Sequence, residues 1–256
     1  MTFGIPEEWR DFERRHESFL KAMLPPLMDA ATRVVARTME SEHPHERLAF
    51  MLGRHVPEDF SEIFLLCANG YGIGGLKLLR TMYERVVTMT YLFRNPKKAE
   101  DFADWHLVEK QKLLNHLRDD GDDPAKYFTS EELAEIRDAA GRVKDRFPRG
   151  QRSWIDLDLK RLAREVGLDG FYVIFYYWPT LHTHPTATGM TARVEMSADA
   201  ISFKVGPQRD EADRALQGAH CCLLLALAEH VSHFKLPVDL APLFEAYKKY
   251  WDRQVS

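Results

Sequence analysis

The sequence predicts an all-α fold: a single helical domain of six to nine helices around a buried C-terminal helix, with one small β-hairpin at about residues 192–205. Three observations predict it. Apolar residues recur at helical spacing along most of the chain. Residues 219–228 are apolar all round, the mark of a helix surrounded by protein. Strand-like alternation is confined to residues 192–196 and 201–205, which flank Ser197-Ala-Asp-Ala200 as a hairpin would.

The elements follow in order. Residues 7–24 read as a charged helix broken at Pro25-Pro26, and a second helix covers 27–40 before the polar hinge Ser41-Glu42-His43-Pro44. Helical pattern resumes over 45–54 and 58–93, the latter interrupted at Tyr71-Gly-Ile-Gly-Gly75. Asn95-Pro96, a cap residue followed by proline, starts a helix to about Leu117. After the loop at 119–124, Thr129-Ser-Glu-Glu132 starts another helix through about Lys144. Residues 146–152 are basic and irregular, 156–166 form a helix ending at Gly167, and a long helix runs from about Arg209 to Phe234. We divide the chain into an N-terminal helical arm (1–44), a helical core domain (45–235) and a C-terminal helical tail (236–256).

Composition narrows the functional classes. At 256 residues, 45% apolar and 29% charged, the chain is sufficient for one large core. A net charge of −4 argues against a protein that coats nucleic acid without sequence preference. Three cysteines, two of them the adjacent Cys221 and Cys222, form no disulfide framework. The N-terminus carries Glu7, Glu8 and Trp9 where a signal peptide needs a basic and then apolar run, and the longest apolar run is far shorter than a bilayer span. The expectation is a cytoplasmic protein with no membrane association.

The aromatic run at residues 171–178, Phe-Tyr-Val-Ile-Phe-Tyr-Tyr-Trp, leads through Pro179 to Leu181-His-Thr-His184. It predicts a buried helix that delivers imidazoles to a cavity. Two further polar residues, His106 and Lys110, fall inside the apolar stripe of the helix after Asn95 when each residue advances by about 100°. Either they line a polar pocket or they are a satisfied core histidine and a snorkelling lysine. Arg80 and Glu84 are spaced i,i+4 at the edge of a helix whose solvent stripe is Lys77, Thr81, Arg85 and Thr88, and taken alone they read as a boundary ion pair.

Leu78-Leu-Arg-Thr-Met-Tyr-Glu84, then residues 91–96, then Ser153-Trp154 with Leu162-Ala-Arg-Glu-Val-Gly167, then the aromatic run into His184-Pro185, occur in an order and spacing that resembles the bacterial domain-of-unknown-function family 5677 over roughly residues 60–235. The hairpin and long final helix fit that layout. Pro179 and the additional His182 depart from it. The resemblance implies a mainly helical fold and draws attention to Arg80, Glu84 and His184; it implies no activity.

Other motifs carry little. Arg, four to six residues and then His, as in HEPN-type ribonucleases, occurs at Arg10/His16, Arg37/His43 and Arg214/His220, about as often as composition alone produces. A basic segment at 137–164, nine Arg and Lys against four Asp, could hold RNA phosphates. His182-Thr-His184, His220-Ala-Cys-Cys and Glu229-His-Val-Ser-His233 lack the paired spacings of known metal motifs, so neither a metal nor a cofactor is expected. The glycine-rich stretch lacks the strand and Lys-Ser/Thr of a phosphate loop, and reads either as a flexible break or as close helix packing.

Three readings result. The first is a binding protein whose pocket is lined by Arg80, Glu84, His106, Lys110, His182 and His184, with Arg80 and Lys110 holding a small or phosphate-bearing ligand. The second is a metal-independent ribonuclease of toxin or phage-defence type, with His184, Arg80 and Glu84 as catalytic candidates. The third is a module that associates with a protein partner or as a homodimer. Of the two neighbouring histidines, His184 is the stronger candidate at sequence level.

Overall fold

A computed structural model describes residues 5–147, 150–191, 193–196, 200–203 and 206–254. Among them the chain forms α1 (Pro6–Arg15), α2 (Leu24–Val35), α3 (Pro44–Ala68), α4 (Gly72–Arg94), α5 (Ala99–Asp119), α6 (Ser130–Val143), α7 (Leu159–Glu165), α8 (Trp178–Thr183), α9 (Ala187–Thr191), β1 (Val194–Met196), β2 (Ile201–Phe203), α10 (Arg209–Phe234) and α11 (Ala241–Gln254). The fold is all-α, as expected. Eight of these helices have ten or more residues, within the predicted six to nine. The three beyond that number, α7, α8 and α9, are short pieces between 159 and 191.

The centre is a three-helix packing of α3, α4 and α10. Residues 218–224 of α10 are buried without interruption, so the all-round apolar run sits where such a run must sit. The glycine-rich stretch is resolved as close packing. A Cβ on Gly72 would overlap the Ala212 amide nitrogen and the Gln208 carbonyl oxygen, and one on Gly75 would press the Cys67 sulfur at 2.9 Å. The start of α4 therefore lies against the backbone of α10, an approach only glycine permits.

Three proline positions differ from expectation, two of them through a widened turn. Proline has no amide to donate, so a helix that meets it must lose a bond or widen a turn. Pro25-Pro26 do not break the arm: the Leu24 amide reaches back five residues to Phe19 and α2 continues. At Pro179 the Trp178 amide likewise bonds the Val173 carbonyl. Pro57, expected between two segments, lies inside the single helix α3. Asn95 does not cap with its side chain; its amide donates to the Tyr91 carbonyl at 3.0 Å. Thr129 and Glu132 do form the reciprocal capping box, and Asp158 caps α7 before the left-handed Gly167 (φ 73°).

The hairpin is present, antiparallel, with Val194 opposite Phe203. Ala192, Lys204, Val205 and the turn residues 197–199 lie outside the described residues. Segments 1–44 and 236–256 share the core of the remainder: Phe12, Phe19 and Leu27 from one and Leu240, Tyr250 and Trp251 from the other join the same buried cluster as α10. No helix among the described residues is long and apolar enough to cross a membrane.

Candidate functional site

The aromatic run forms a wide turn and not a buried helix. Among residues 173–178 only Phe175 is buried, stacked on Phe171 at 5.2 Å; Val173, Ile174, Tyr177 and Trp178 are exposed. Spaced i, i+1, i+4 and i+5, these four side chains share one face, and the widened turn ahead of Pro179 leaves that face outward.

Arg80 holds this segment against α4. Its Nη2 donates to the Tyr176 hydroxyl at 2.8 Å and its Nε to Thr180 Oγ1 at 3.2 Å, while the guanidinium lies 4.6 Å from the Tyr176 ring centroid and 3.3 Å from Glu84 Oε1. Burial raises the Glu84 carboxyl, opposed by the Arg80 charge and a hydrogen bond from Tyr176. Arg80 and Glu84 therefore form a clamp on a turn that lacks regular helical bonding.

Farther toward the start of α4, a cavity of about 410 Å³ opens between α4, α8, α9 and the hairpin, lined among others by Lys77, His182, His184, Arg193, Met190 and Phe203. His182 is 7% exposed, and neither ring nitrogen has a hydrogen-bond partner among the described residues. Burial pushes its pKa down; Glu211 on α10 opposes this, and Arg193, Lys77 and Arg214 reinforce it. The imidazole is thus held neutral, with one N–H donor and one acceptor to offer. Glu211 has a second orphaned atom, the buried Oε2, while its Oε1 lies 3.4 Å from Arg214. Tight packing fixes the wall: a Cβ on Gly189 would meet the Leu181 carbonyl at 2.6 Å, so α9 crosses α8 closely.

The six residues predicted to form one pocket are divided. His182 and His184 share the cavity, but His184 is exposed at its rim, on extended backbone after α8. Arg80 and Glu84 pair with Tyr176 beside it and are absent from its lining. His106 and Lys110 lie elsewhere on α5 and are exposed; the His106 ring is bonded to the Ala103 carbonyl, and Lys110 faces α6. Periodicity misplaced them because α5 is peripheral. Of its buried residues, Ala99 lies on the expected stripe, but Trp105 and Leu114 flank it. Lys77 and Arg193 were missed, Lys77 because its helix position reads as solvent-facing.

Other predicted features also find their places. None of the described residues of 137–164 lines the cavity. Arg146 is held by Glu100 and Asp104, and Arg161 and Arg164 face Asp158 and Asp169. The ribonuclease reading, which needs that segment open to the cavity, has no such arrangement to rest on. Arg149 lies outside the described residues. Glu229 bonds Arg94 at 2.8 Å and not His233. All three cysteines are buried and free, and burial pushes their thiols up, to about 11 for Cys221, so none is an activated nucleophile.

Fold and site together define an all-α protein with a small cavity, lined by apolar side chains and a few polar and charged ones, beside its central helices. The chain belongs to the family of unknown function DUF5677, whose model matches residues 49–201. That span runs from within α3 to Ile201, the first residue of β2, and includes both the clamp and His182. No curated protein and no solved structure matches the chain.

Proposed function

We propose that this protein binds a small anionic, phosphate-bearing ligand in the cavity at His182. The observation that carries the reading is the buried imidazole without a partner among the described residues, next to an open cavity and two cationic side chains. A buried polar group left unpaired costs about 1–3 kcal/mol, and a ligand that hydrogen-bonds His182 recovers that cost. Lys77 and Arg193 supply charge-assisted donors to the anion. The test is a thermal-shift and equilibrium-binding panel of inorganic phosphate, nucleotides and sugar phosphates. Loss of a partner in such a site corresponds to about tenfold to a hundredfold in affinity, so His182→Ala and Lys77→Ala should each weaken the ligand that stabilises the wild type. His106→Ala, distant and exposed, should not. A ligand bound equally well by His182→Ala refutes the site.

One observation favours a second reading, self-association. Val173, Ile174, Tyr177 and Trp178 form an exposed apolar stripe, and groups of this kind mark interaction surfaces. Two copies packing stripe to stripe would bury it symmetrically. Light scattering should then show a dimer that Tyr177→Glu converts to monomer; a monomeric wild type at high concentration sinks this reading.

A further inference from the structure

The last turn of α10 meets the first turn of α3 at a group of side chains that no reading above uses. Pro44 starts α3, so His45 and Glu46 project from its first turn, while His233 projects from the end of α10. One ligand atom from each of His45, Glu46 and His233 can be chosen so that all three lie within 4.8 Å of one another. His233 Nε2 is 3.1 Å from Glu46 Oε1. The three residues are half-buried, open enough for an ion to enter and enclosed enough to be held in place.

We propose that His45, Glu46 and His233 bind a divalent transition-metal ion. Two imidazoles and one carboxylate are the donor set of many zinc sites with an open position and of the facial triad of non-haem iron. Two nitrogen donors among three favour zinc, cobalt or nickel over magnesium or calcium, which prefer all-oxygen shells. The outer contacts also suit such a site. Ser41 donates to the other oxygen of Glu46, orienting the carboxylate, and His233 stacks on Phe93 at 4.2 Å, which fixes its ring. The His43 ring centroid lies 5.7 Å from that of His45. The nearby cation Arg37 feels the Glu46 charge but makes no close ion pair with it: its guanidinium lies over Phe50 and Phe234, and its Nε bonds the Val34 carbonyl. The site joins α3 and α10, two of the three central helices, so a bound ion would clip the core at the end where both helices terminate.

The test uses the full chain, free of any affinity tag. Zinc titrated by calorimetry should bind one ion per chain, raise the unfolding temperature, and be displaced by no excess of magnesium. Cobalt should give visible d–d absorption of a low-coordinate nitrogen–oxygen site. His45→Ala and His233→Ala should each weaken zinc by more than about a hundredfold, since even outer partners of metal ligands are worth ten- to a hundredfold. Glu46→Gln should weaken it too, and His106→Ala should leave it unchanged. Should a variant fail to fold, the cobalt spectrum and stoichiometry of the wild type decide the question. No binding by the wild type at tens of micromolar zinc, or unchanged zinc affinity in folded His45→Ala and His233→Ala, overturns the proposal.

Discussion

Single residues set how this protein responds to acid. His220 and His230 are buried among aromatic rings, and burial alone holds His220 down to about 3; for His230, burial is the first cause and the Arg37 and His233 charges add to it, also giving about 3. The Trp251 indole donates to His220 at 3.2 Å, whereas His230 touches Phe50, Phe93 and Phe234 and has no hydrogen-bond partner among the described residues. Unfolded, both would titrate near 6.5. The folded pKa values are depressed, so their contribution is complete above about pH 6.5 and is lost as pH falls from there toward 3. Each such group gives a slope of at most about 1.4 kcal/mol per pH unit, about 2.8 for the pair. Urea unfolding at a series of pH values should therefore show stability falling steeply below about pH 6. A stability unchanged between pH 7 and 5 would contradict neutral burial of the pair. Sequence periodicity places both histidines on the long helix that is α10 but cannot distinguish one with a bonded partner from one held only by packing.

Between elements, the decisive quantity is how closely two backbones approach. Gly72 sits where α4 starts against α10, with backbone atoms of Gln208 and Ala212 occupying the space of a Cβ. Gly141, on the exposed side of α6, has nothing within 4 Å. Gly72→Ala should cost several kcal/mol, since backbone cannot move aside as a side chain can. Gly141→Ala should stabilise by up to about 1 kcal/mol through helix propensity alone. Chemical denaturation of the two variants checks both signs at once. The same comparison explains which elements were legible. The capping box at Thr129, the end of α7 at Gly167 and the whole of α10 are local signals and were found. The widened turns before Pro25 and Pro179 were not, because a proline dictates only that a bond is missing, and the surrounding packing decides whether the helix stops or bulges.

Across the whole molecule, both ends of the chain are integrated into one core. Phe19 packs against His220 and Trp251, and the buried His16 ring bridges the Tyr250 hydroxyl and Asp213, which Arg15 also holds. The first and last helices are thus tied to α10 by apolar and charged contacts together. The amino-acid sequence by itself determined the all-α class, the central helix, the hairpin and the family, because these depend on periodicity, composition and local turn chemistry. The site was only half legible. His182 and His184 do line one cavity, yet their different burial, the separation of Arg80 and Glu84 into a clamp, the exposure of His106 and Lys110, and the meeting of His45, Glu46 and His233 were decided by tertiary structure. Helical spacing specifies which side chains share a face; only packing specifies what that face meets, and whether a polar group there finds a partner, solvent or a cavity.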